Sequence, residues 1–248
     1  MGSLFVVSDV HGYRDDLARV LGSAGLVDEA GRWTGGEDEL WVLGDLTDRG
    51  PDGIGTVDLM MSLQQQAPDQ VHVLLGNHEA LALGMRRFPE SRFAHSWHIN
   101  GGRRTDQEGL TPAHVEWLSG LPALALVRDF LLVHSDTDEY LGWGDSVEGI
   151  NATVRELLAS DDVEDAWEVW ARLTSRYRFA GRKGAGVAKT MLDRLGGEVI
   201  VHGHSIIGTL LDMPSEQVSD PILYADGLVL AIDGGRYDGG PLIVVRLD

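Results

Sequence analysis

The sequence predicts an α/β layered fold, and three observations carry that prediction. Seven short apolar runs recur along the 248 residues, at 4–7, 40–43, 71–75, 130–133, 199–201, 228–232 and 242–245, each bounded by glycine or a polar cluster. Runs that are apolar at nearly every position suit strands buried on both faces. Helix-period patterns lie between several of them, and such alternation indicates stacked layers of sheet and helix. No repeat, low-complexity tract or Pro/Ser-rich linker interrupts the chain, so a single domain over 1–248 is expected.

Taken in order, the run at 4–7 leads into Leu17, Val20 and Leu21, one face of a helix behind Asp15 and Asp16 that Gly22 or Gly25 can end. After the run at 40–43, Ile54, Val57 and Met61 follow Pro51, which suits a first helical turn. The segment 151–177 reads as largely helical, with Val154, Leu157, Leu158, Val163 and Leu173 on its apolar side. Its acidic residues, Asp161 to Asp165 and Glu168 among them, form a solvated face, while Trp167 and Trp170 are expected to pack the segment onto a sheet. Ala188, Met191, Leu192 and Leu195 repeat the helical spacing before Gly196 and Gly197.

Composition narrows the function. With 39 acidic and 20 basic residues the net charge is −19, which repels phosphate backbones, so no nucleic-acid partner is expected. A small anionic substrate remains compatible if cations sit inside its site. No apolar run approaches the roughly 18 residues of a membrane span, and the opening apolar stretch is too short for a signal-peptide core. The absence of cysteine removes disulfides, thiolate metal sites and cysteine nucleophiles. No membrane partner and a cytoplasmic location are the expectation.

Chemistry is concentrated just past the apolar runs. Asp9 and His11 follow the first, Gly44-Asp45-Leu46-Thr47-Asp48-Arg49-Gly50 the second, Gly76-Asn77-His78-Glu79 the third, His134 the fourth and His202-Gly203-His204 the fifth. Ligands of open α/β sheets bind beyond the carboxyl ends of the strands, so five strand ends bring Asp9, His11, Asp45, Asn77, His134 and His204 to one edge. Carboxylate, imidazole and amide oxygen form a donor set suited to Mn²⁺, Fe²⁺ or Zn²⁺. Six ligands exceed what one catalytic ion needs. Shared through a bridging carboxylate, they suit two ions about 3.5–4 Å apart.

The Gly44–Gly50 and Gly76–Glu79 motifs resemble those of the calcineurin-like metallophosphoesterases, specifically the phosphoprotein phosphatase branch with its bacterial serine/threonine phosphatases and symmetrical diadenosine tetraphosphate hydrolases. Further resemblances lie at Trp97 with Asn100-Gly101-Gly102 and Thr105, at Leu121-Pro122, at Trp170-Ala171-Arg172, and at Ile232-Asp233-Gly234 with Gly239-Gly240. The family fold so implied is layered, with mixed β-sheets packed against flanking helices and the active site at the strand C-terminal ends. The resemblance implies a first divalent ion on Asp9, His11 and Asp45, and a second on Asp45, Asn77, His134 and His204. Manganese is the first choice of metal, with iron or zinc as alternatives. His78, oriented by Asp48, would protonate the departing oxygen. Arg49 and Arg172 would clamp phosphate oxygens, since the planar guanidinium reaches two at once. Metal-bound hydroxide would attack phosphorus directly, with no phosphoenzyme. Leu75 stands where eukaryotic protein phosphatases carry arginine. Ile206 replaces the second histidine of phosphodiesterase-type relatives, which argues for the phosphatase-like branch over nucleases.

The expected function is therefore a dinuclear-metal phosphatase acting on phosphate monoesters, either phosphoserine and phosphothreonine in a protein or a small phosphorylated metabolite. Hydrolysis of diadenosine polyphosphates or other phosphoanhydrides is the alternative, and an inactive scaffold of the same fold is the reading from outside enzymology. Residues 85–120 and 136–185 are where substrate choice must be encoded. His202 reads equally as a residue behind the site or a buried structural histidine. His95 and His98 have ligand-like spacing but no partner strand end, and His72 and His114 read as structural. Residues 100–104 read either as a backbone nest for an anion or as a turn.

Overall fold

In the computed structural model, which describes residues 2–248, two mixed sheets lie face to face between layers of helix. The first sheet has strand order β3-β2-β1-β9, with β1 (Leu4–Val7) parallel to β2 (Glu39–Val42), β2 parallel to β3 (Val71–Val73), and β9 (Val245–Leu247) antiparallel to β1. The second has order β4-β5-β6-β8-β7. Here β5 (Phe130–Val133), β6 (Val199–His202) and β8 (Val229–Ala231) are parallel, and the edges β4 (Leu124–Val127) and β7 (Ile222–Tyr224) are antiparallel.

Residue alternation explains the layering, because successive side chains of a strand point to opposite faces. Leu4 and Val6 of β1 meet Leu132 of β5 and Val201 of β6 in the core between the sheets. Phe5 and Val7 face outward, onto Leu17 and Leu21 of α1 (Arg14–Ser23) and Val57 and Met60 of α2 (Gly53–Gln66). On the far side Leu131 and Val133 pack under α7 (Val147–Ala159), α8 (Val163–Thr174) and α9 (Gly184–Leu195). Truncating an intersheet leucine such as Leu132 to alanine would cost about 2–5 kcal/mol. Helix starts follow the sequence: Asp52 accepts from the Gly55 amide at the head of α2, and Gly196, at φ 91°, ends α9.

Several sequence expectations shift. The last strand is Val245–Leu247 and not 242–245, because β1 pairs with that stretch while Leu242 packs into the helix-side core. The edge strands β4 and β7 had no counterpart in the sequence reading. Neither did the helices of the segment between β3 and β4: α3 (Asn77–Arg87), α4 (Arg92–Ile99), α5 (Arg104–Gly109) and α6 (Pro112–Ser119). Trp167 and Trp170 pack α8 against Leu81 of α3 and Phe93 of α4, and Trp170 also borders the larger core that holds strand residues Leu131 and Val133; the Trp167 ring meets the Phe93 ring at 5.3 Å. A short α10 (Ile207–Leu210) follows β6. Among the described residues no helix is long and apolar enough to cross a membrane.

Candidate active site

Each of the six residues expected at the sheet edge lies within a few residues of a strand end. Asp9 and His11 follow β1, Asp45 follows β2, Asn77 opens α3 just after β3, and His134 and His204 follow β5 and β6. All are buried, none more than 6% exposed. Asp9, Asp45, His134 and His204 turn ligand-type atoms into one space, within 4.8 Å of one another; His11, Asp45 and His78 do so beside it. Asp45 belongs to both groups. The division differs from the one the resemblance implied, because Asp9 sits with His134 and His204, and His78 takes its place beside His11. Asn77 reaches the first group, its Oδ1 lying 2.9 Å from His134 Nε2.

The backbone is strained to achieve this. Of eleven non-glycine residues with φ in the left-handed region among those described, six are Asp9, His11, Asp45, Asp48, Arg49 and His204. Each such conformation costs of order 1 kcal/mol or more and persists only where surrounding bonds dictate it. Those bonds are present. The amides of His11 and Gly12 donate to the carbonyls of Asp45 and Leu46, both at 2.8 Å, locking the first two loops together. Glu79, fully buried on α3, accepts from the amides of Asp45 (2.7 Å), Leu46 (2.8 Å) and Gly76 (2.9 Å). Gly44 and Gly76 are required where these loops touch, since a Cβ on Gly44 would fall 2.5 Å from the Gly76 nitrogen.

Imidazole orientation is set from behind. His11 Nδ1 donates to the Thr47 carbonyl at 3.0 Å and His134 Nδ1 to the Leu43 carbonyl at 2.8 Å, which leaves each Nε2 lone pair facing the Asp45 carboxylate, at 3.4 and 3.5 Å. His204 Nε2 donates to the Thr174 carbonyl, leaving Nδ1 as its lone-pair nitrogen. A backbone partner on the rear nitrogen is how metal-binding histidines are aimed. Burial drives His11 and His204 well below the ordinary imidazole range and His134 down to about 3, so the rings are neutral donors. Burial likewise pushes Asp9 well above the usual carboxylate range and Asp45 up to about 7. With Nδ1 protonated for Leu43, His134 Nε2 and Asn77 Oδ1 present lone pairs to each other. Converging oxygens and neutral nitrogens fit a divalent cation shared at Asp45.

Beside this cluster, His78 Nδ1 donates to Asp48 Oδ2 at 2.9 Å, and Arg49 Nη2 donates to His78 Nε2 at 3.1 Å. Asp48 is itself held: its amide donates to Asp106 Oδ2 and its Oδ1 accepts from the Arg103 amide, both at 2.9 Å. The Tyr237 ring lies 3.9 Å under the Arg49 guanidinium.

Arg172 is not part of this constellation. One guanidinium nitrogen donates to the Glu139 carbonyl and the other pairs with Glu168 at 3.0 Å, one turn back on α8, over the Trp143 ring. Packing of α8 decides this, because Arg172 lies on the face turned to the 3₁₀ turn Glu139–Gly142. Arg176, four residues on and past the helix end, is instead close enough for its charge to bear on His134, His204 and Asp233.

Asp233, within the Ile232-Asp233-Gly234 motif, is buried just past β8. Burial and then the Asp9 charge push it well above the usual carboxylate range, and its Oδ2 has no partner. His202 is satisfied by the Gly203 carbonyl and the Tyr224 hydroxyl at 2.7 and 2.8 Å, so it is structural. His95 and His98 are exposed on α4. The nest reading fails, since the amides of Asn100, Gly101 and Gly102 already donate to Ser96, His98 and Trp97 carbonyls. Glu79 and Asp233 lie in the Gly76–Glu79 and Ile232–Gly234 motifs, whereas Asp106, Arg176 and Tyr237 carry no local signal in the sequence.

The profile of the calcineurin-like phosphoesterases matches residues 2–208. A symmetrical bis(5'-nucleosyl)-tetraphosphatase of Vibrio campbellii is 29% identical over 192 residues, 71% of this chain and 63% of that protein. One from an Enterobacter species is 38% identical over 168 residues, 64% of this chain and 51% of that protein. The chain spans between 24% and 63% of the length of the curated relatives it matches. A cold-active protein-tyrosine phosphatase of a psychrophilic Shewanella shares the fold, with a TM-score of 0.76 at 24% identity over 100% of this chain and 76% of its own. The profile runs from β1 into α10 and takes in all six strand-end residues, so the chain belongs to the calcineurin-like phosphoesterase family.

Proposed function

We propose that the chain is a metal-dependent phosphoric ester hydrolase that removes a phosphoryl group from monoesters, in a phosphorylated protein or a small molecule. One observation carries the reading: two clusters of buried donor atoms share Asp45, directly beside a His78–Asp48 pair. Asp9, His11, Asp45, Asn77, His134 and His204 would together hold two divalent ions that share Asp45, with manganese first and iron or zinc as alternatives. When bound, such ions neutralise phosphoryl oxygens and make water nucleophilic near neutral pH.

The remaining roles belong to the chain's own residues. Asp48 accepts from Nδ1 and fixes the His78 ring, so Nε2, the acceptor of Arg49 in the resting pair, is the atom turned toward the departing oxygen and would carry the proton delivered to it. Arg49 meets that same Nε2 and holds a phosphoryl oxygen beside it. Arg176 supplies the second positive charge, in place of Arg172. Buried walls around Asp9, Asp45 and His134 exclude bulk water and strengthen each of these interactions.

Cleavage of phosphoanhydrides is the second reading, supported by the names of the curated relatives. The scaffold reading is disfavoured because the donors converge instead of pointing apart. The test is turnover of p-nitrophenyl phosphate and phenyl phosphate with manganese, iron or zinc. Wild type should hydrolyse both, and His78→Ala should lose about 10²–10⁴-fold, more on phenyl phosphate, whose departing oxygen needs the proton more. Wild-type protein inert with all three metals would overturn the proposal.

A further inference from the structure

Residues 175–178 leave α8 and run beside the loop that follows β5, bound to it almost residue by residue. The Thr137 hydroxyl donates to Ser175 Oγ at 3.2 Å, and the Tyr177 amide donates to Asp136 Oδ2 at 2.8 Å. The Arg178 amide donates to the Asp136 carbonyl at 3.0 Å, and Arg178 Nε to Asp138 Oδ1 at 2.8 Å. Arg176 stands between two tied neighbours, Ser175 and Tyr177. Tyr177 has φ 64°, a left-handed conformation that a tyrosine keeps only where surrounding bonds dictate it. Asp136 itself is fully buried, two residues past His134, and its other oxygen accepts from the hydroxyl of Ser205, next to His204. The same exit from α8 touches that imidazole, since the Thr174 carbonyl accepts from His204 Nε2 at 3.2 Å. One buried carboxylate thus joins three stretches: the β5 loop with His134, the β6 loop with His204, and the exit of α8 with Arg176.

We infer that Asp136 is a positioning residue for the phosphoryl group: by holding Tyr177 against the β5 loop it fixes the chain at Arg176 and keeps that guanidinium aimed at the His134–His204 cluster. No helix fixes Arg176, which lies past the Ser175 cap and is exposed, its guanidinium 5.9 Å from the Tyr177 ring. A long, flexible side chain loses rotamer freedom when it takes up an anion, and holding the backbone on both sides lowers that cost before the anion arrives. Ser205 keeps the Asp136 carboxylate turned so that its second oxygen meets the Tyr177 amide. The role rests on the hydrolase reading above, in which Arg176 supplies the second positive charge, and names what aims that charge.

The test uses the full chain with manganese and reads two quantities, the calorimetric Kd of inorganic phosphate and KM for p-nitrophenyl phosphate. Asp136→Ala should raise both about fivefold, the ordering cost of one long side chain, with a smaller change in kcat. Asp136→Asn should recover most of the loss, because its amide oxygen still accepts from Tyr177 and its NH₂ can donate to the Ser205 oxygen. In an Arg176→Ala background, adding Asp136→Ala should move neither quantity by more than about twofold, whereas a merely structural role would multiply the two effects. Thermal unfolding checks that each variant folds. If Asp136→Ala does not, Asp136→Ala with Ser205→Ala, which strands one buried group fewer, is measured in its place. A phosphate Kd within about twofold of wild type in the alanine variant, or full multiplication with Arg176→Ala, overturns the role. Wild type that binds phosphate yet turns over no ester fells the hydrolase reading alone, and the phosphate Kd still judges Asp136. Wild type that does neither fells both.

Discussion

Removing Glu79 tests whether the metal-site loops are held from behind. Its carboxylate accepts three backbone amides from two different loops, Asp45 and Leu46 after β2 and Gly76 after β3, at 2.7–2.9 Å. In Glu79→Ala all three donors become buried and unpaired, at about 1–3 kcal/mol each, less where water enters the space. The expected loss is about 4–6 kcal/mol. For a chain of this size that lowers Tm by about 10–20 °C. Glu79→Gln is the finer probe. Oε2 serves both Asp45 and Gly76 while Oε1 serves Leu46, so an amide oxygen in the Oε2 position leaves its NH₂ facing one N–H. About 2 kcal/mol and 4–8 °C follow. Because Asp45 and Asn77 sit on these loops, manganese affinity should also fall about 10–100-fold. Thermal unfolding by circular dichroism and manganese titration calorimetry measure both effects. A Glu79→Gln protein within 1 °C of wild type and equal in manganese affinity would refute the idea that these three bonds hold the loops.

Three further outcomes follow from the geometry. Asp45→Asn should lower bound manganese more than His204→Ala does, because Asp45 belongs to both donor groups; metal analysis after gel filtration decides, and equal retention contradicts sharing. Burial raises Asp45 to about 7 and lowers His134 to about 3, so at pH 6 the imidazole is already neutral and a divalent ion must displace a carboxyl proton. Affinity should rise up to about tenfold per pH unit per proton from pH 5 to 7 and flatten above, and calorimetry in two buffers of different ionisation heat should find protons released at pH 6. Arg176→Ala should raise KM for p-nitrophenyl phosphate about tenfold, whereas Arg172→Ala, cutting the Glu139 and Glu168 contacts, should change Tm more than KM.

The fold was legible where burial left little choice. β1, β5 and β6 lie between two apolar layers, so nearly every residue must be apolar and the run announces the strand. β7 is a three-residue edge with no fully buried side chain, and such a strand leaves no comparable run. β9 shows the remaining limit. Apolar residues at 242–245 marked a buried segment, but which of them pairs is decided by the exposed backbone of β1, which no local pattern encodes. Helix α3 hid for the opposite reason: Ala80 to Gly84 are buried on every side, so the amphipathic period that reveals a surface helix is missing.

The donor residues and the His78–Asp48 pair could be found because their chemistry admits few residue types and each loop begins where a strand ends. The arginines proposed to hold phosphate obey a weaker constraint. A guanidinium on a long, flexible stem can reach a site from many positions, so spacing within Trp170-Ala171-Arg172 says little about where its charge goes. In α8 the residue one turn back is Glu168 and the neighbouring turn offers the Glu139 carbonyl, and together they hold Arg172 away from the cluster. Arg176 lies beyond the Ser175 cap, where the helix no longer dictates its direction, and its charge falls on His134 and His204. Asp106 shows the same dependence on tertiary packing. It lies 58 residues from the Asp48 amide it anchors, and only the folding of α5 against that loop brings the two together. Side chains that converge as donors are thus fixed by chemistry the sequence displays, and those that aim them by packing it does not.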